Sequence, residues 1–307
     1  MSSASRSLLV IAAIATAAAL PGLTAIAQRG AGAPHHIDAS AGQALSAVAA
    51  AEDRLRVCAD PNNLPFSNAR GEGFENEIAA ILARDLGLGG VAYTWWPQRR
   101  GFIRATLGTG VCDVAMGVPS DFRRTANTRP YYRSGYVFVT RTDRRLRLRS
   151  FDDPRLRALR VGVHVIGDDY ANVPPVEALA RRGLVDNVRG YSIYGDYSQP
   201  DPPRNLLDAL ARGEIDVAIA WGPLAGYFAR REPVALSIVP LAPTGDVLPM
   251  AYSISIGVRR GNERLRAALD QALARRQADI DLVLARYGVP QAGRLHDART
   301  VTRRTMR

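Results

Sequence analysis

Few side chains in this 307-residue chain are suited to covalent or metal chemistry. There are two cysteines, Cys58 and Cys112, and four histidines. His35 and His36 lie in an Ala/Gly/Ser-rich stretch with no third ligand nearby, so the pair does not make a zinc site. His296 lies close to the C-terminus, which leaves His164 as the one imidazole inside a patterned segment. No Gly-x-Ser-x-Gly elbow, His-Glu-x-x-His helix or phosphate loop is present. Two carboxylates look like an acid–base pair: Asp113 in GVCDVAMG and Asp216 in GEIDVAIAW. Each follows a glycine and opens an apolar run, which is where a carboxylate caps a turn. Asp168 and Asp169 are loop carboxylates. These patterns speak for binding rather than catalysis, with His164 the residue an enzyme would have to use.

The two Asp segments belong to a longer internal echo. Leu107, Gly110, Asp113 and Val114 register without a gap on Leu210, Gly213, Asp216 and Val217. Upstream, LRVCAD from Leu55 is echoed by LRVGVH from Leu159. Each half therefore reads strand, intervening segment, helix, glycine turn, strand. Repeats of this length point to paired α/β units, because solenoid repeats are much shorter.

Residues 1–27 have the form of a secretory signal peptide: Arg6, an apolar run from Leu8 to Leu20, and Ala25–Ala27 as a small-residue cleavage site before Gln28. No later apolar stretch is long enough to span a bilayer, so an exported, periplasmic protein without a membrane span is expected. In that oxidising compartment Cys58 and Cys112 are candidates for a disulfide worth roughly 4 kcal/mol, with two buried free thiols as the alternative. The formal net charge is +11 and every basic side chain is arginine. The arginines are dispersed in doublets such as Arg99-Arg100, Arg123-Arg124 and Arg144-Arg145. That distribution suits an anionic ligand or an acidic protein, and argues against nucleic acid, which calls for a basic–aromatic recognition motif.

Residues 28–53 read as a flexible linker. A strand (RLRVCAD), a Pro/Asn loop, an amphipathic helix (GFENEIAAILARDLG), a strand (VAYTWW), a helix (RGFIRATLGTG) and a strand (CDVAMG) follow. YVFVT carries the chain out of the first lobe. The second lobe runs through strand LRVGVH, helix PPVEALARRG, a Tyr/Asp/Pro-rich loop over 190–204, helix NLLDALARGE, strand IDVAIAW and helix LAGYFAR. YSISIGVRR returns it, and a long helical region ends at Gly288-Val289-Pro290. The expected architecture is α/β and bilobal: 54–134 with 258–290 as lobe 1, 135–257 as lobe 2, two crossing strands, a central cleft, and a basic tail over 291–307. Ligands of such sheets sit beyond the carboxyl ends of the strands.

On these phrases, in this order, residues 54–290 resemble the periplasmic solute-binding proteins of the amino-acid-binding type, with the type II periplasmic-binding-protein fold. CADPNNLPFSN, GEGFENEIA, YTWWPQRRGF and RPYYRSGYVFVTR look more narrowly like the MoxJ/XoxJ proteins, binding-protein relatives associated with PQQ-dependent methanol dehydrogenases. The resemblance implies an accessory role in methanol oxidation by protein–protein contact. The partner would be the PQQ-dependent methanol or alcohol dehydrogenase, with its c-type cytochrome as a further candidate, and the chain itself would carry no cofactor. The alternative is a carrier for an ABC importer, binding a small anionic or aromatic solute. An enzyme is the third reading, since some binding-protein folds host lyases.

Transport relatives hold the ligand carboxylate with an arginine after the third strand and the ammonium with an aspartate after the second-lobe Asp-Val strand. Here Arg124 or Arg123 matches the arginine, but the aspartate position is Trp221, and HVIGDD replaces the small donor segment after VGV. A buried ammonium without a carboxylate is costly, so a standard amino acid is not expected. The candidate cleft or partner-binding residues are Asp60, Asn62, Asn63 and Phe66 after the first strand, then Trp96, Arg99 and Arg100 after the second. Pro119, Ser120 and Arg124 follow the third, with Tyr131 in RPYYRSGYVFVT and Trp221 at the end of the second-lobe strand IDVAIAW. Of each pair Trp95-Trp96 and Tyr131-Tyr132, one ring is expected to face the core.

Overall fold

The computed structural model describes residues 53–166, 173–193, 197–242, 245–246 and 248–292. The leader, the linker up to residue 52, His35-His36, Asp168-Asp169, residues 293–307 and His296 lie outside the described residues.

β1 (Leu55–Ala59) is nearly all buried, as an apolar run between charged ends requires. A minimal hairpin follows, β2 (Asn62–Asn63) against β3 (Ser67–Asn68). Helix α1 (Phe74–Asp85) then buries the stripe Phe74, Ile78 and Leu82. It begins at Gly73, where a side chain would run into the Phe66 carbonyl. Gly87, at φ +73°, follows its C-terminal end. β4 (Val91–Trp95), the short α2 (Phe102–Ala105), β5 (Val114–Pro119), β6 (Ala126–Asn127) and the long β7 (Tyr132–Arg141) complete the outward path. The helix expected over 100–110 is cut short. Thr106 donates its hydroxyl to Phe102 O (2.6 Å), and the last turn tightens to 3₁₀ before left-handed Gly110.

The second lobe holds β8 (Val161–Val165), α3 (Pro174–Arg181), β9 (Val188–Ser192), α4 (Asn205–Ala211), β10 (Val217–Trp221), α5 (Gly222–Ala229) and β11 (Leu236–Pro240). β12 (Ala251–Val258) returns to the first, and α6 (Glu263–Arg286) packs there on α1. One curled sheet runs β4-β1-β5-β12-β7-β10-β8-β9, with β6 beside β12 and β11 beside β7. Its halves mirror each other. β5 pairs with β1 in parallel, Val114 opposite Val57, as β10 pairs with β8, Val217 opposite Val161. On the far side of β5 and of β10 lies an antiparallel crossing strand, β12 and β7 respectively. β7 and β12 pair with each other only over Tyr132–Gly135 and Ala251–Ile254, which marks the waist.

The echoed aspartates are structural. Asp113 N–H donates to Arg56 O (3.0 Å) and Asp216 N–H to Arg160 O (2.9 Å). Their carboxylates take Arg56 (3.7 Å) and Arg160 (3.0 Å). The Arg160 hydrogen bond holds the Asp216 carboxyl below the usual carboxylate range. Each pair ties the start of a floor strand to its neighbour, away from the cleft. Cys58 and Cys112 are bonded, with Cα atoms 5.6 Å apart, in a small buried cluster with Phe102, Leu107 and Ala115. Among the described residues no helix is long and apolar enough to cross a membrane.

Candidate functional site

The carboxyl ends of β1 and β4 meet a segment of the second lobe at the cleft mouth. Asp60, just past β1, is buried. Its Oδ1 accepts from Asn62 N–H (2.8 Å), and its Oδ2 from Gln98 N–H (2.6 Å) and from the Tyr197 hydroxyl (2.5 Å). The carboxylate is thus satisfied by its own turn, by the 97–99 loop and by a phenol from the other lobe. Asn62 donates Nδ2–H to Gln199 O (2.8 Å), and its Oδ1 faces Asp201 N–H at 3.4 Å. Asn63 donates to Gln98 Oε1 (3.0 Å), and the Arg99 guanidinium lies over the Tyr197 ring at 5.1 Å.

Beneath this polar seam the two lobes share an apolar floor. Leu64, from the β2–β3 turn of lobe 1, is 4% exposed and packs into the lobe 2 core with Val137, Leu206, Leu210 and Tyr227. Phe66 touches the cores of both lobes and sits edge-on to Phe74 at 5.3 Å. Trp221 lies between Tyr136 (5.3 Å) and Tyr252 (6.0 Å), edge-on to each. Behind them Tyr227 stacks on Tyr287 (5.8 Å), and Gly226 of α5 meets the Gly288 carbonyl past α6 so closely that no Cβ fits. Tyr287 also donates to Glu72 O (2.6 Å).

His164, the one histidine among the described residues, is buried at the end of β8, with Nε2 2.9 Å from Pro203 O. Burial pushes its imidazolium down to about 4, so the ring is neutral near pH 7. It braces the 3₁₀ turn Pro202–Arg204. Glu75 lies in the first turn of α1, with its carboxyl against Gly117 of β5. Burial raises it to about 8, and the nearby Tyr131 hydroxyl offsets only part of this. The group is therefore mostly protonated at neutral pH. Among the described residues no three His, Cys, Asp or Glu side chains cluster as metal ligands.

Of the residues singled out from sequence, Asp60, Asn62, Asn63 and Arg99 come together at this seam, and Phe66 and Trp221 pack against the cores of both lobes. Trp96 is 47% exposed beside them, while Trp95 stacks on Tyr93 (4.6 Å) against the core. Arg100 and Arg124 are exposed. Pro119 closes β5 opposite Ile254, and the Ser120 hydroxyl is taken by Ser253 O (3.0 Å) and Ser255 Oγ (2.7 Å). Tyr131 is a correction: it is 0% exposed, as is nearly the case for Tyr132, and it lies in the lobe 1 core. The alternation expected of the pair fails because Tyr131 precedes β7. Its N–H donates to Ile254 O (2.8 Å) and its carbonyl accepts from Gln277 of α6 (3.0 Å), which turns the ring inward. Sequence reasoning missed Tyr197 and Tyr287; Leu64 and Gln98 lie in the segments it selected at the ends of the first two strands, 60–66 and 95–100, without being singled out.

The chain matches the bacterial extracellular solute-binding proteins, family 3, over residues 55–288. It belongs to that family. The MoxJ protein of Methylorubrum extorquens is 32% identical over 90% of this chain and 93% of its own length. The MoxJ protein of Paracoccus denitrificans is 31% identical over 82% and 94%. The crystal structure of the periplasmic binding protein XoxJ from Methylobacterium extorquens AM1 superposes with a TM-score of 0.65 at 36% identity, covering 78% of this chain and all of that one. The fold is the type II periplasmic-binding-protein fold, and the MoxJ and XoxJ proteins are its relatives within family 3. Trp221, the position the resemblance led one to compare with an ammonium-binding aspartate, stands between two tyrosines, and Asp60 is engaged by a phenol.

Proposed function

We propose that this family 3 protein is a non-enzymatic periplasmic accessory of a PQQ-dependent methanol dehydrogenase and works by protein–protein contact. The observation that carries the reading is the inter-lobe seam. Leu64, Phe66 and Trp221 pack into the floor, Asp60 takes one of its three hydrogen bonds from the opposite lobe, and the Asn62 side chain bonds there too. What would bind a solute is bonded to the protein itself. The relation to the MoxJ proteins supplies the methanol-oxidation context.

The docking surface is the rim of lobe 1 around the 95–104 segment, where Trp96 is exposed beside the exposed Arg99 and Arg100. A net charge of +11 favours an acidic face on the partner and a rate of association that falls with salt. Exposed aromatic and arginine side chains are the usual hot spots of such interfaces. Truncating Trp96 to Ala should weaken binding to the purified dehydrogenase by at least about fivefold, roughly 1 kcal/mol; unchanged affinity would take Trp96 out of the site. Family membership itself favours a second reading, a carrier that closes on a small solute. Saturable solute binding with a rise in melting temperature would establish that reading instead.

A further inference from the structure

We infer that the segment Tyr197–Arg204 of lobe 2 is a built-in strap that holds the two lobes closed with no solute between them. In a hinged binding protein, closure is stabilised by what the ligand contributes to both lobes, so the free protein opens. Here the contributions a ligand would make come from the chain. Tyr197 brings a hydroxyl to Asp60, the Gln199 carbonyl accepts from Asn62 Nδ2–H, and the Asp201 N–H faces Asn62 Oδ1. All three reach the same short turn after β1.

The strap is fixed at its far end. Pro202 and Pro203 are buried, the Pro203 carbonyl meets His164 Nε2, and Arg204 pairs with Asp208 (2.8 Å) in α4. Asp201, at φ +50°, turns the chain sharply between the two anchors. The contact is reciprocal, because lobe 1 sends Leu64 into the lobe 2 core beside the strap's continuation, Leu206 and Leu210. A strap pinned on one lobe, bonded to a turn that is itself plugged into that lobe, leaves the closed state with no need of a third component. It also gives the Tyr/Asp/Pro-rich loop and His164 a role that neither catalysis nor solute capture supplies. The inference draws on the same seam as the proposed function but goes beyond it, and the two fail separately: a strapped protein need not bind a dehydrogenase, and a dehydrogenase-binding protein need not be strapped.

The test is small-angle X-ray scattering of the exported protein, alone and with each of the common amino acids at millimolar concentration. A strapped protein gives the closed radius of gyration alone, and no amino acid changes it. The variant Tyr197→Phe with Asn62→Ala gives a larger radius. If that double variant does not fold, Asn62→Ala alone, which removes only the Gln199 and Asp201 contacts, is expected to broaden the distance distribution. An open wild-type protein that contracts on adding an amino acid would overturn the strap. So would folded variants as compact as the wild type.

Discussion

Leu64→Ala probes the seam where its energy is concentrated. The substitution removes three carbon atoms from a side chain 4% exposed within the lobe 2 core. At about 0.8 kcal/mol per buried carbon the transfer loss alone is about 2.4 kcal/mol. The cavity left behind adds to this, and core Leu→Ala changes fall between about 2 and 5 kcal/mol. Leu64 sits on a tight turn between lobes rather than within a strand, so the turn can settle inward and the low end applies. The expected loss is about 2.5–3 kcal/mol, measured by urea unfolding as a fall in midpoint at unchanged slope. Val111→Ala is the control: Val111 is 47% exposed and should cost less than about 0.5 kcal/mol. A Leu64→Ala loss below about 1 kcal/mol would mean that the turn does not plug the second lobe in solution, and the seam described above would not hold.

Other outcomes follow from the same contacts. Glu75 keeps its proton in the folded protein up to about pH 8, whereas an unfolded glutamate releases it near 4.5. The folded state therefore binds the extra proton between these values, and stability falls as pH rises through them, by up to about 1.4 kcal/mol per pH unit. His164 acts oppositely: its contribution is lost as pH falls from 6.5 towards 4, so the Glu75 slope stands clear only above pH 6.5. Glu75→Gln should flatten urea-measured stability between pH 6.5 and 8; an unchanged slope would refute the assignment. Gly226→Ala should destabilise by about 1–3 kcal/mol, because the new methyl meets the Gly288 carbonyl and outweighs the gain in helix propensity; a rise in melting temperature would contradict the close approach. Reducing the Cys58–Cys112 bond, which closes a separation of 54 residues, should cost about 2–4 kcal/mol in urea melts with and without reductant, and no change would mean it does not constrain the chain.

The bilobal frame was legible because it is written twice: LRV and the Gly-x-x-Asp-Val-Ala phrase recur, and each echo became a paired floor strand. β9 (VRGYS) and β11 were not read as strands. β9, at the sheet edge, has one apolar side chain on each face, Val188 and Tyr191, and β11 ends in a proline, so neither carries the alternation that marks a half-buried strand. At the cleft, sequence order places Asp60, Asn62 and Trp221 correctly at the ends of strands. What it cannot carry is partnership across lobes. Tyr197 finds Asp60 over 137 positions, and nothing local to YSQPDPP marks it as the other side of a cleft rather than as a solvated loop. Tyr131 was misplaced for a related reason: period-two alternation holds within a strand, and Tyr131 is just before one.

The most direct test of the proposed function is binding of the exported protein to the quinoprotein methanol dehydrogenase of the same bacterium. Biolayer interferometry at low and at physiological salt would measure it. Saturable binding at micromolar concentration or tighter, weaker at the higher salt and weakened again by Trp96→Ala, is the predicted result. No binding at either salt would contradict the accessory role and leave this family 3 protein as a solute carrier.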